Sequence, residues 1–374
     1  MKIAIVHPWF LAHGGAEHTV NVLAEMYPEA DIFTLLYTER DLSPSLKGRN
    51  IIASRANFLP WKYQTYRFLM PLYPAGFEAI DLRGYDLVIT SDSCVAKGVL
   101  IDQTARHICY CHSPMRALWD LRFEFRDTLP APFRPIFTTI TRSLRQWDFQ
   151  AAQRVDYFVA NSSFVAERIM RYYRRDSLVI YPPVNEQTHT PSPSHGDFYL
   201  SVGRLTQTKR VDLLIGACNQ LKRRLVIVGG GRHIAALRKI AGPTIEFPGR
   251  ISDQELDDAY RNCRALLFAA NEDFGIVPVE AQSYGRPVVC YGHGGSLETV
   301  VGVGNAADGR EATGVFFKEQ TVESICDAIV RFESMESSFD PIAIQEHAAR
   351  FSRSRFEEDF SRLVDEVTAG MIAR

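Results

Sequence analysis

The chain has 374 residues, enough for two domains of ordinary size, and its 46% apolar and 23% charged residues are those of a globular protein. A formal net charge of −2 gives no reason for a nucleic-acid partner, and no run approaches the roughly 18 apolar residues of a membrane-spanning helix. Seven cysteines without a Cys-x-x-Cys pair read as reduced thiols in a cytoplasmic protein.

Residues 2–7 open the chain as an apolar strand, too short for a signal-peptide core. They run into His13-Gly14-Gly15-Ala16-Glu17, ahead of a helical pattern over 17–27. Glycines here let backbone approach a ligand, and amides at a helix start hold an anion; the same residues also make a tight turn with a favourable carboxylate at Glu17. Further strands are expected at 32–37, 87–90, 107–111, 157–160 and 178–181, with helices over 133–154 and 164–173. Several are continuous apolar runs, as in a parallel sheet covered on both faces. Aromatic and basic residues mix at 58–63 and 67–73, and arginines recur over 134–145 and 168–175. These stretches suit the headgroup boundary of an anionic membrane, or equally core-facing helices with a solvated basic side.

Pro182-Pro183 and the tract from Thr188 to Gly196 then break the rhythm as an interdomain linker. Strands resume at 198–202, 225–228, 245–247, 265–268, 288–291 and 315–317, with helices over 211–221, 252–260 and 277–284 and a mostly helical tail from 321. Strand–helix alternation on both sides of a linker implies two α/β domains, 1–184 and 197–350, joined by 185–196.

Three strand ends in the second half carry chemistry. Gly203 to Lys209 places Arg204 and Lys209 where α/β sheets bind ligands, and two cations there suit a diphosphate, although a solvated loop is the plainer alternative. Gly229-Gly230-Gly231 permits close backbone contact with a phosphate or ribose, or simply a turn. Asn271 to Glu280 follows a buried strand, turns at Gly275 and enters a helix with Pro278 in its first turn. Its helix start offers free amides, and Glu272 and Glu280 are placed to accept from a sugar and a ribose.

Gly14-Gly15-Ala16-Glu17, Tyr110-Cys111-His112-Ser113-Pro114, Gly203-Arg204 with Lys209, and Glu272 through Glu280 occur in an order that resembles the retaining family-4 glycosyltransferases, many of them bacterial mannosyltransferases. The resemblance implies the GT-B fold, with two Rossmann-like domains and residues 351–374 as a helix packing back on the first. It implies catalytic roles for His112, Arg204, Lys209 and Glu272: the cations grip the donor diphosphate, Glu272 holds the sugar hydroxyls and His112 faces the transferred sugar. Gly14, Gly15, Glu17, Gly203, Gly229, Gly230, Arg250, Asp273, Phe274, Gly275, Ile276, Val277 and Glu280 are then donor-binding, Glu280 at the ribose. The implied activity is hexosyl transfer from a nucleotide sugar, GDP-mannose favoured over a UDP-sugar, with no cofactor or metal. The acceptor is a glycan or lipid-linked oligosaccharide in bacterial surface polysaccharide synthesis, reached from the cytoplasm or the inner face of the membrane. A nucleotide-sugar epimerase and a non-catalytic nucleotide-sugar-binding protein are the alternatives; a dehydrogenase fits worse, since neither half has Gly-x-Gly-x-x-Gly after its first strand. Tyr284 is bulky where relatives carry small residues, and is expected to alter only helix packing.

Overall fold

The apolar runs of the first half pair as seven parallel strands: β1 (Ile3–Phe10), β2 (Asp31–Tyr37), β3 (Ile51–Ala53), β4 (Leu87–Asp92), β5 (Arg106–Cys111), β6 (Tyr157–Ala160) and β7 (Leu178–Val179), in the order β3-β2-β1-β4-β5-β6-β7. The computed structural model describes residues 1–11, 14–58, 62–304 and 311–372, so His13 and residues 59–61 of the aromatic stretch lie outside it. Alternation along β1 shows why the run is continuously apolar. Ile3 and Ile5 enter one core cluster with Ile89, Ile108 and Tyr110, while Ala4 and Val6 enter another with Val88, Phe33 and Phe77. Successive side chains point to opposite faces, and both faces are covered.

The second half repeats the plan with β8 (Phe198–Val202), β9 (Arg224–Val228), β10 (Ile245–Gly249), β11 (Leu266–Phe268), β12 (Val288–Tyr291) and β13 (Gly314–Phe317), ordered β10-β9-β8-β11-β12-β13. Leu267 and Val289 face one cluster; Leu266, Phe268, Val288 and Cys290 face the other.

The chain divides into two units, Met1–Pro183 with Phe356–Arg374, and Val184–Arg355. The helix Arg353–Ile372 brings Phe356 and Phe360 onto the Tyr110 ring, with centroids 5.7 and 6.4 Å away. The proline-rich tract is not a loose tether. His189 O accepts from Gln345 Nε2 at 3.0 Å, and Arg286 reaches Ser194 O at 2.9 Å, so much of it lies on the second unit. β3 and the helix Ile234–Ile240 escape the sequence reading, the first as a three-residue edge strand and the second as a short helix behind a glycine run. All seven cysteines are buried and free.

Under the first sheet's C-terminal edge, Lys97 is fully buried between Asp92 and Asp148. Burial alone would strip its proton, but Asp148 and Asp92 hold the ammonium well above its ordinary pKa. Asp148 also accepts from Trp119 Nε1 at 2.8 Å and Tyr173 OH at 2.9 Å, so the charges are paired and hydrogen-bonded.

His7 and His107 are almost fully buried, and burial lowers each to about 3. The unfolded chain, with ordinary histidines, therefore binds more protons than the native one across the interval below about 6.5. Stability is predicted to fall as pH drops from about 6.5 towards 3, each ring adding up to roughly 1.4 kcal/mol per pH unit. Urea midpoints measured at pH 7, about 5.5 and about 4.5 test this. The slope should flatten in a His7→Asn/His107→Asn double variant, and equal slopes would remove these rings as its cause.

Candidate functional site

In the second sheet the strand order reverses between β8 and β11, the position where parallel sheets open a crevice at their C-terminal edge. β8 runs into Gly203 and Arg204, then a short turn Gln207–Lys209. β11 runs into Asn271, Glu272 and Asp273. The Lys209 ammonium meets the Glu272 carboxylate directly, joining the two strand ends. Lys209, Arg204, Gly203 and Phe268 line one crevice, with Arg204 exposed. Burial and the Arg204 guanidinium lower Lys209 to about 8, while Asp273 pulls the other way; the ion pair with Glu272 also favours the charged form. Two cations thus share a small crevice with carboxylates only partly matched to them.

Glycine is required where the β8 and β9 loops meet. Gly229 has φ +126°, and a Cβ there would lie 2.0 Å from Gly203 O. That contact brings Gly229 and Gly230 beside Gly203, and Gly229 N donates to Gly249 O at 2.7 Å, next to exposed Arg250.

Gly275, at φ +90°, caps the helix Ile276–Ser283, whose first turn carries Ile276 and Val277. Phe274 buries its ring against Phe351 at 5.6 Å, so only its backbone is turned to the loop's chemistry. Glu280 is partly buried on this helix, and burial raises its carboxyl pKa, opposed by the Tyr260 hydroxyl, which donates to Oε2 at 2.8 Å. Tyr260 in turn stacks on Tyr284, with centroids 5.3 Å apart and planes 14° apart. Tyr284 therefore does more than pack: its hydroxyl donates to Asp257, and its ring backs the tyrosine that touches Glu280.

The sequence reading missed Tyr260 and a second glycine loop. Gly295 N donates to Glu272 O at 3.0 Å, and a Cβ on Gly294 would lie 2.4 Å from that same carbonyl. His293 Nδ1 lies 3.0 Å from Asn271 Oδ1. Gly292-His293-Gly294-Gly295 follows β12 directly, the same strand-to-glycine signal that marks the other loops.

In the first unit, Gly14 caps the helix Gly15–Met26, and Glu17 folds back so that its Oε2 would lie 2.9 Å from a Cβ at Gly14. His112 follows β5 at the same C-terminal edge, its Nε2 2.8 Å from Ser91 Oγ. Burial lowers His112 to about 4, with Asp92 opposing, so the ring is neutral near pH 7. Gly14, Glu17 and His112 thus gather in one unit, and the Arg204-to-Glu280 set in the other.

The basic stretches separate on inspection. Arg168 is buried, bonded to Ser113 Oγ at 2.7 Å and Asp120 Oδ1 at 2.8 Å, and Arg175 caps the carbonyls of Ala152 and Val155. Tyr63 bonds to Asp41 and Tyr73 is buried in the core, so these residues of the 58–73 stretch are structural as well. By contrast, Phe123, Phe125, Phe133 and Ile136 are exposed among Arg122, Arg126, Arg134 and Arg142 on the helix Arg122–Asp127, the turn Ala131–Phe133 and the helix Arg134–Gln153. Arg134 ties the two helices by donating to Leu129 O at 3.1 Å and Asp127 O at 3.2 Å.

Two family descriptions match this chain: Glycosyltransferase Family 4 over residues 13–188 and Glycosyl transferases group 1 over residues 184–354. The alpha-1,3/1,6-mannosyltransferase ALG2 of Kluyveromyces lactis is 26% identical over 442 aligned residues, spanning 98% of this chain and 85% of that one. An uncharacterized glycosyltransferase of Methanocaldococcus jannaschii is 26% identical over 80% of this chain and 82% of its own length. HepE of Anabaena, solved in complex with UDP-glucose, superposes with a TM-score of 0.69 at 15% identity over 98% of this chain and 100% of that one, a likeness of fold. With one description matching each half in order and both sheets wound as that fold requires, the chain belongs to the family-4 glycosyltransferases and is an enzyme of GT-B fold.

Proposed function

We propose that this glycosyltransferase moves mannose from GDP-mannose to a lipid-linked oligosaccharide, with retention at the anomeric carbon and without a metal. The observation that carries the donor site is the crowding of Arg204 and Lys209 in one crevice, where burial and the Arg204 guanidinium disfavour the Lys209 ammonium until an anion arrives. A diphosphate is such an anion. In this reading it takes Lys209 from Glu272, freeing that carboxylate for sugar hydroxyls, while Glu280 accepts from the ribose with the oxygen that Tyr260 leaves open. Mannose is supported by the relatives named mannosyltransferases; the solved likeness with UDP-glucose keeps the uridine donor as the competing outcome.

Chemically, the bond between the anomeric carbon and the phosphate oxygen breaks while the acceptor oxygen approaches from the same face. The acceptor proton passes to the departing phosphate, whose growing charge Arg204 and Lys209 stabilise. Preorganised cations act where the charge appears, so no protein nucleophile is needed. The exposed phenylalanines and arginines of residues 122–142 support contact with an anionic bilayer that presents the acceptor. Surface polysaccharide assembly is the pathway we assign to such an acceptor.

A thermal-shift and turnover screen of GDP-mannose, UDP-glucose and bare nucleotides tests the donor. Guanine nucleotides should stabilise the protein, and Arg204→Ala or Lys209→Ala should lower kcat by about 10²–10³, or about 2.7–4 kcal/mol. Affinity should decline as pH passes about 8, where Lys209 loses its proton, and Arg204→Ala should move that limit upward. No stabilisation by any nucleotide would overturn the donor site, and donor consumption without an acceptor would favour an epimerase. Tyr260→Phe should weaken nucleotide binding about tenfold, more at pH 5.5 than at pH 7, because Glu280 then protonates more readily. Calorimetry at both pH values decides this, and equal affinity with wild type would remove Tyr260 from the site. Sedimentation with anionic vesicles should weaken with salt and on Phe133→Ser/Ile136→Ser, and no binding at low ionic strength would remove the membrane contact.

A further inference from the structure

A second recess lies at the opposite end of the second sheet from the Arg204 crevice. Arg264 stands just ahead of β11 and Arg286 just ahead of β12, so both belong to the N-terminal edge. Together with His195, Glu333, Glu336 and Ser337 they line a cavity of about 530 Å³, all of whose lining residues fall within the unit Val184–Arg355. That volume is within the roughly 300–1,000 Å³ of small-ligand sites. The wall is closely packed: a Cβ on Gly285, at φ +72°, would lie 2.8 Å from Pro341 O.

The charges around this cavity do not cancel. Glu333 accepts from Arg223 Nε and Nη2 at 2.7 and 2.8 Å, from Tyr199 OH at 2.9 Å and from Arg264 Nη1 at 3.1 Å. Glu336 accepts from Arg264 Nε and Nη2 at 2.7 and 2.5 Å and lies 3.2 Å from His195 Nε2. Both carboxylates are therefore taken by other cations. Arg286 is only 3% exposed. Its Nη2 donates to Ser194 O at 2.9 Å and to Arg261 O. Its Nε is buried without an acceptor, and among the described residues no carboxylate pairs with this guanidinium. Arg261 closes the helix Asp253–Asn262, and a helix end offsets about half a unit charge. A buried cation met only in part is costly, whereas an oxyanion on its remaining nitrogen, Nη1, gains a charge-assisted bond.

We propose that this cavity is a second ligand site, which takes a small molecule bearing an oxyanion, a phosphate ester or a carboxylate, on Arg286. It is separate from the donor crevice, because β11 runs between them with Arg264 before its first residue and Phe268 at its far end. The inference does not rest on the donor reading. Ser194 and His195 belong to the proline-rich tract, so a ligand on Arg286 touches that tract and the second sheet together.

Calorimetry on the full chain at about 0.15 M salt tests this, with Arg204→Ala/Lys209→Ala as the background that silences the donor crevice. Glucose 6-phosphate, gluconate and glucose are the probes. At least one of the two anions should bind one-to-one with a Kd of about 1 mM or tighter, and glucose should not. Binding of glucose 6-phosphate alone assigns a phosphate ester, binding of gluconate alone a carboxylate, and binding of both a site that reads the negative charge. Ser337 is exposed on the cavity wall, so Ser337→Glu sets a fixed carboxylate there without removing a buried group. It should weaken binding about tenfold or more by like-charge repulsion. Arg286→Lys, which keeps the charge but not Nη1, should weaken it too; where that variant does not fold, Ser337→Glu still decides. Neither anion binding better than glucose overturns the proposal, as does binding that Ser337→Glu leaves unchanged.

Discussion

A parallel sheet covered on both faces has one kind of surface left for chemistry: the ends of its strands. Both sheets here obey that constraint. Ile5 and Val6, one residue apart, enter cores on opposite sides, so neither face of β1 is free to bind anything. Residues that recognise a ligand are pushed to the loops beyond the strand ends, and the reversal of strand order keeps those loops from closing over one another. The glycines follow from the same crowding. Gly229 must lie against the Gly203 carbonyl because two strand ends under 5 Å apart, the spacing of a sheet, leave no room for a side chain between them.

The crevice lined by Arg204 and Lys209 holds an incompletely balanced set of charges. Lys209 is paired with Glu272, yet burial and Arg204 press its ammonium towards neutrality. Glu272 pairs with Lys209, and Asp273 acts on the same cation. A diphosphate would meet both cations and return Glu272 to solvent or to a polyol. The exchange swaps one ion pair for several charge-assisted bonds, so its net strength depends on how little the loops must move. Their rigidity is visible in the links from Gly295 N to Glu272 O and from Gly229 N to Gly249 O.

Much of this was legible in the sequence because it depends on local pattern. Strand positions follow from apolar runs bounded by glycine and proline, and the loops at Arg204, Gly229 and Glu272 follow from cations, glycines and carboxylates just past those runs. What was not legible depends on residues far apart in sequence. Tyr260 and Glu280 are twenty positions apart and meet in a direct hydrogen bond, so neither signals the other. Arginine counts left two readings open for the same reason: Arg168 and Arg175 are spent on Asp120 and on backbone carbonyls that no local pattern reveals. The Gly292–Gly295 run was within reach, since it obeys the rule applied elsewhere. The three-residue strand β3 was not, because so short a run carries no periodicity.

The two units differ electrostatically at the edges of their sheets. The edge of the second sheet concentrates charge, with Arg204, Lys209, Glu272 and Asp273 beyond neighbouring strand ends and Glu280 on the helix that follows. The edge of the first holds neutral rings, His7 and His112, kept so by burial although Asp92 pulls His112 the other way. The fixed charge of Asp92 is met by Lys97 beneath that edge, so little of it is left to charge His112. Were the histidines to titrate near neutrality, as exposed rings do, the edge of the first sheet would turn cationic under mild acid. Burial of His7 and partial burial of His112 keep both rings in one charge state across the physiological range.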